Sequence, residues 1–145
     1  MWFPNPRWGE DDGLVAIGGD LSVERLVLAY SNGFFPWYAF HMEREPHWYC
    51  PLDRYVIFPQ EIHISHSMRQ LLKQQKYEVT LRHAFFGESM FSLVANASKL
   101  ALIHLARAMV RDGGRFIDCQ FETPLFKGMG GRHITYEEYM GLLTR

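Results

Sequence analysis

The stretch Phe85–Phe121, FFGESMFSLVANASKLALIHLARAMVRDGGRFIDCQF, constrains the fold most, because its periodicity changes abruptly from helical to extended. After Asn96, a residue type suited to capping a helix, Leu102, Ile103, Leu105, Ala106, Met109 and Val110 share one broad apolar face at helical spacing. His104, Arg107 and Arg111 line the opposite face. Gly113 and Gly114 end the helix, since glycine takes the left-handed C-cap conformation at no steric cost. The next run, Arg115 to Phe121, is short and rich in aromatic and β-branched residues, which predicts a strand. The chain must accommodate a helix near 96–111 followed at once by that strand.

Alternation along the strand puts Phe116, Asp118 and Gln120 on one side and Ile117, Cys119 and Phe121 on the other. A carboxylate and a carboxamide on an otherwise apolar strand are costly to bury unpaired. They read either as a satisfied pair at a strand end or as a site. Gly87-Glu88-Ser89, just ahead of the helix, adds weight to the second reading.

A chain of 145 residues is about one domain, or a core with a small appendage, and is long enough to bury a real core. Its net charge of −1 gives no global nucleic-acid footprint, so any such site must be a local patch. Cys50 and Cys119 lack metal-ligand or CxxC spacing, so no metal is expected. With no signal peptide and no long apolar run, the expected setting is the cytoplasm, away from membrane.

Before the central stretch, Ser22 caps a helix near 22–31 whose apolar face is Val23, Leu26, Val27 and Tyr30. Phe34-Phe-Pro-Trp37 then reads as an aromatic loop, with short strands at Trp48-Tyr49 and Tyr55–Phe58. A second helix, near 66–75, turns Met68, Leu71 and Leu72 inward. His66, Arg69, Lys73 and Lys76 run along its polar edge, as either a solvated face or a contact for a phosphate backbone. Residues 77–82 alternate as a strand that runs into a seam at 83–87 with little turn chemistry beyond Gly87. Thr135-x-x-Glu138 is a capping box for a last helix near 136–143.

Four phrases in order, GLVAIGGDLSVERLVLAYSNGFFPW, HISHSM, FGESMFS with NASK, and FIDCQ, resemble the leucyl/phenylalanyl-tRNA–protein transferase family. The resemblance runs from Gly13 onward. It implies an α+β (α/β) chain with a small N-terminal domain, 1–62, and a truncated acetyltransferase-like (GNAT-type) domain, 63–145. It also implies transfer of Leu, Phe or, less well, Met from aminoacyl-tRNA to proteins with N-terminal Arg or Lys, marking them for degradation. No cofactor is implied. By the same resemblance Asp118 and Gln120 match the catalytic pair, and Glu88, with its neighbour Ser89, matches the acid lining the reaction centre. Trp37 matches an aromatic near the terminal adenosine, and Leu105, Met109 and Ile117 match the pocket for the transferred side chain. Arg69 and Lys73, in the stripe with His66 and Lys76, fall on the helix associated with tRNA.

The chain departs from the family at the seam, where a central stretch of strands and pocket floor is missing near 84–87. Other departures are His66, where Arg is common, and Leu125-Phe-Lys-Gly128, where the family often has His and Ser. An acyl-CoA acetyltransferase would need a glycine-rich pyrophosphate loop opening a helix, which the sequence lacks. A non-catalytic remnant that still binds RNA is the alternative.

Overall fold

The structure, a computed structural model, describes residues 2–37, 45–74 and 95–144. The strand expected at 77–82, the seam at 83–87, and Lys76, Glu88 and Ser89 lie outside the described residues. In chain order the elements are β1 (Leu14–Ile17), α1 (Val23–Ser31), β2 (Phe35–Trp37), β3 (His47–Tyr49) and β4 (Asp53–Ile57). There follow α2 (His66–Lys73), α3 (Ala97–Arg111), β5 (Ile117–Gln120), α4 (Pro124–Gly128), β6 (Arg132–Thr135) and α5 (Tyr136–Leu143). The architecture is α+β.

Two compact units share the chain: Met1–Arg54 with Ile134–Arg145, and Tyr55–His133. By contact, the last twelve residues group with the first unit. Sequence order alone carries no sign of that return.

In the first unit, β1, β3 and β2 form an antiparallel sheet in that order. Phe34 to Trp37 was expected to be a loop, but Phe35–Trp37 is a strand. Pro36 is tolerated there because β2 is an edge, paired with β3 on one side only. Ser22 caps α1 as expected, its Oγ accepting from the Arg25 backbone N–H at 3.4 Å. Phe34, Trp48, Cys50 and Ala29 form the buried cluster, with Phe3 and Leu26 packed on it. Val23 and Val27, assigned to the inner face of α1, are instead 72% and 61% exposed. Leu26 and Ala29 take the inward positions.

Among the described residues of this unit Arg54 is the buried cation, 2% exposed. Its guanidinium carbon lies 4.6 Å from the ring centroids of both Phe35 and Tyr139. It donates to the Gly33 carbonyl at 3.1 Å. A buried charge is costly unless such partners replace water. Gly33 has φ +82, and a Cβ there would stand 3.0 Å from the Tyr139 ring, so the turn requires glycine. The capping box opening α5 is complete: Glu138 N–H donates to Thr135 Oγ1 at 3.2 Å, and Thr135 N–H donates to Glu138 Oε2 at 2.9 Å.

In the second unit, the strands run in the order β5-β4-β6. Helices α2 and α3 turn Met68, Leu102, Ile103, Leu105 and Ala106 into one cluster with Tyr55, Ile57, Ile117 and Cys119. α3 spans 15 residues, close to the expected range. Asn96 precedes it at φ +67 and makes no side-chain cap, contrary to expectation. The left-handed backbone there does not aim the amide at the first turn. Sequence reading missed α4, although Thr123-Pro124 is a start signal; Thr123 Oγ1 accepts from Phe126 N–H at 3.2 Å. It also missed β6, whose four residues lack a run of apolar alternation.

Candidate active site

The site builds from the end of β5. Ile117 and Cys119 are buried, 8% and 9% exposed, while Asp118 and Gln120 are half-buried. This is the alternation the sequence implies. The strand does not stay regular, however. Val56 stands opposite Asp118 and Tyr55 opposite Gln120, so Cys119 is an extra residue on β5. A bulge of this kind re-aims side chains and ends pairing.

Gln120 itself has φ +64, in the left-handed region that non-glycine residues seldom occupy. Across it, Phe121 N–H donates to the Cys119 carbonyl at 2.7 Å, closing a tight γ-turn. Such backbone costs on the order of 1–3 kcal/mol and persists only where neighbours hold it. Asp118 supplies the hold: its Oδ1 accepts the Gln120 backbone N–H at 2.9 Å. A hydrogen bond to a charged group contributes roughly 1.5–3 kcal/mol, enough to offset the strain. Asp118 thus makes a contact to the Gln120 backbone.

Between the two polar residues, the Cys119 thiol is pushed up to about 12, first by burial and then by the Asp118 charge. It stays protonated at neutral pH and is no nucleophile. Tyr55, facing Gln120 across the bulge, donates its hydroxyl to the Gly131 carbonyl at 2.8 Å. The His133 ring meets the Tyr55 ring edge to face with centroids 4.8 Å apart. Glu122 accepts from Lys127 at 2.9 Å and pairs with His133 Nε2 at 3.2 Å. These contacts hold the carboxyl of Glu122 below its ordinary value. Sequence reasoning missed this trio because its members come from a turn, α4 and β6, the two elements it did not foresee.

Leu105 and Ile117 sit in the same buried cluster, and Met109 packs on it. Met109 also covers Gly114, where a Cβ would lie 2.8 Å from two of its carbons, so the close approach needs glycine. The three apolar candidates are thus gathered beside the inner face of β5. On α2, Ser65 Oγ caps the first turn and Met68 is buried, which leaves His66, Arg69 and Lys73 exposed. Trp37 is in the first unit, half-exposed on β2 and edge-on to Tyr49 at 5.4 Å. Among the described residues no group of three or more His, Cys, Asp or Glu could hold a metal ion. No described helix is long and apolar enough to cross a membrane.

Comparison with known proteins is consistent along the chain. Residues 77–144 match the leucyl/phenylalanyl-tRNA protein transferase family, and residues 19–52 match its N-terminal domain. A transferase of that name from Syntrophobacter fumaroxidans is 32% identical over 98% of this chain and 86% of its own length. One from Chromohalobacter salexigens is 34% identical over 94% and 76%, and one from Nitrosomonas eutropha 34% over 94% and 83%. The first alignment runs over 204 positions against a chain of 145 residues, so about 60 positions have no residue of this chain opposite them.

Proposed function

The chain belongs to the leucyl/phenylalanyl-tRNA–protein transferase family, and from that premise we propose the reaction, substrates and site residues as follows. It is an aminoacyltransferase. The donor is tRNA carrying Leu, Phe or, less well, Met; the acceptor is the N-terminal α-amine of a protein beginning with Arg or Lys. The product carries a destabilising N-terminus. Aminoacyl-tRNA as donor makes the cytoplasm the compartment of the reaction.

The observation that carries this reading is the left-handed Gln120 at the bulged end of β5, held by Asp118. Strain at a polar residue beside an apolar cluster is the mark of a placed functional group. The reaction is aminolysis of the ester to the terminal adenosine. The amine nitrogen bonds to the ester carbonyl carbon, the ester C–O bond breaks, and the sugar hydroxyl leaves with the amine's proton. Atoms balance without a cofactor. An α-amine with a reference pKa of about 7.7–8.0 is partly neutral at pH 7, so orientation and oxyanion stabilisation carry most of the catalysis.

Gln120 orients the amine through its carbonyl and donates from its NH₂ to the developing oxyanion. Asp118 keeps Gln120 in its turn and can take the proton through water. Leu105, Met109 and Ile117 receive the transferred side chain. A pocket that resolves one methylene by only ~1–3 kcal/mol fits a relaxed choice between Leu and Phe. Glu88, with Ser89, meets the cationic acceptor residue, Trp37 stacks near the adenosine, and His66, Arg69, Lys73 and Lys76 follow the RNA backbone. We assign 63–145 to a GNAT-type domain and the unmatched positions of the relatives to the seam near 84–87.

Incubation of the chain with labelled Phe-tRNA and a peptide beginning with Arg tests the reading. The expected result is labelled Phe at the peptide's N-terminus. Binding of Phe-tRNA with no transfer would make the chain a remnant that only binds RNA.

A further inference from the structure

The chain carries 16 acidic residues against 15 basic ones, yet the charges are segregated. Through 62–74 and 95–111, the described residues hold Arg69, Lys73, Lys99, Arg107 and Arg111 and not one Asp or Glu. These two segments contain α2 and α3, whose apolar faces pack into the same cluster of the second unit. Arg69, Lys73, Arg107 and Arg111 are exposed, away from that shared core, and Lys99 is half-buried.

On α3, Arg107 is exposed and makes no hydrogen bond or ion pair among the described residues, while His104 is half-buried one turn earlier. Arg111 is engaged by its neighbour, Nε to Asp112 Oδ1 at 2.8 Å and Nη2 to Oδ2 at 3.1 Å. The face from His104 to Arg111 runs about 10 Å along the helix axis. Nothing in the transfer chemistry uses it. The same helix supplies Leu105 and Met109 to the apolar cluster, so its outer face stands one helix width from that slot.

We propose that the outer face of α3, led by Arg107, is a second contact for the RNA backbone, additional to the stripe on α2. The inference rests on the reading of the chain as an aminoacyl-tRNA enzyme and deepens it. A guanidinium suits phosphate because its planar fork can donate two parallel hydrogen bonds. Apart from Asp112, which closes α3 and is paired with Arg111, the two helices carry no acid. That keeps local repulsion of RNA low in a protein whose overall charge would not attract it. Arg107 reads no base; it adds a phosphate to the footprint.

The test measures binding of deacylated tRNA-Phe to the full chain against salt, for Arg107→Ala, Arg107→Glu and the double variant Arg69→Ala/Lys73→Ala. Arg107→Ala is expected to weaken binding several-fold and flatten the log–log salt slope by roughly 0.7–0.9, the loss of one phosphate contact. Arg107→Glu should weaken it further. Transfer from a 3′-phenylalanyl-adenosine donor, which has no tRNA body, should stay at the parent rate in both and so reports an intact fold. If both Arg107 variants keep the parent affinity and slope while the α2 variant loses them, this inference is overturned and the α2 reading stands. If neither face matters, both fall. A rise only in the KM for the acceptor protein would assign the face to an acidic protein and also overturn the proposal.

Discussion

Two strands of the second sheet end in opposite ways. β6 hands over to α5 at Thr135 through a reciprocal capping box. β5 ends at Gln120 in a bulge, a left-handed residue and a γ-turn, with a carboxylate spent on holding the backbone. The first ending is what local rules favour; the second violates them and needs Asp118 to persist. A strained ending kept in place by a charged neighbour is where a side chain is being aimed.

The largest effect should come from Gln120. Gln120→Ala is expected to lower turnover by about 10²–10³, the range for losing one preorganised donor, in a transfer assay with Phe-tRNA. Gln120→Gly should lose as much activity yet fold more stably than the alanine variant by roughly 1 kcal/mol, because glycine occupies positive φ without strain. Equal stability of the two in urea melts would mean the left-handed turn carries no strain. The contrast between the strand ends would then vanish.

Asp118→Asn comes next. The amide oxygen can still accept the Gln120 N–H, so the turn should survive while the charge goes. If Asp118 only holds the turn, this variant keeps more activity than Gln120→Ala. A loss of 10²–10⁴ would instead make the carboxylate a proton acceptor. Either result is read in the same assay, with phenylalanyl-tRNA binding as the control.

The inner face of β5 predicts an alkaline weakness that the β6 ending lacks. Cys119 keeps its proton in the folded state up to about 12, against an ordinary 9.0. A raised folded value means the native state binds more protons between those limits, so stability falls as pH rises through that window. The contribution is whole below about 9. Cys119→Ala should flatten the decline when melting is followed from pH 8 to 12. An unchanged decline would place the sensitive group elsewhere.

Much of this was legible in the chain. Ser22 and the Thr135-Glu138 box announced two helix starts through short-range chemistry, and each is made. The alternate burial along Ile117–Gln120 followed from period-two patterning. The bulge did not, because a bulge depends on the register against β4, more than sixty residues earlier in the chain. Burial of Arg54 was equally hidden: its aromatic partners Phe35 and Tyr139 come from distant segments. Val23 and Val27 misled because helical periodicity marks an apolar face without saying whether a neighbour covers it. Glu122, Lys127 and His133 were invisible for want of α4 and β6.

The smallest effect is expected at the ordinary ending. Thr135→Ala removes the acceptor for Glu138 N–H and with it half of the capping box. Loss of a Thr cap costs about 0.5–2 kcal/mol. In a chain of this length 1 kcal/mol corresponds to roughly 2–4 °C in Tm. Turnover with Phe-tRNA should remain at the parent rate at temperatures well below that melt, since Thr135 holds no group of the proposed site. Serine at the same position should restore the loss, because its hydroxyl caps as well. A Thr135→Ala variant that melts like the parent but transfers Phe slowly would reverse the assignment. It would make the β6 ending the functional one and leave the strain at Gln120 without a purpose.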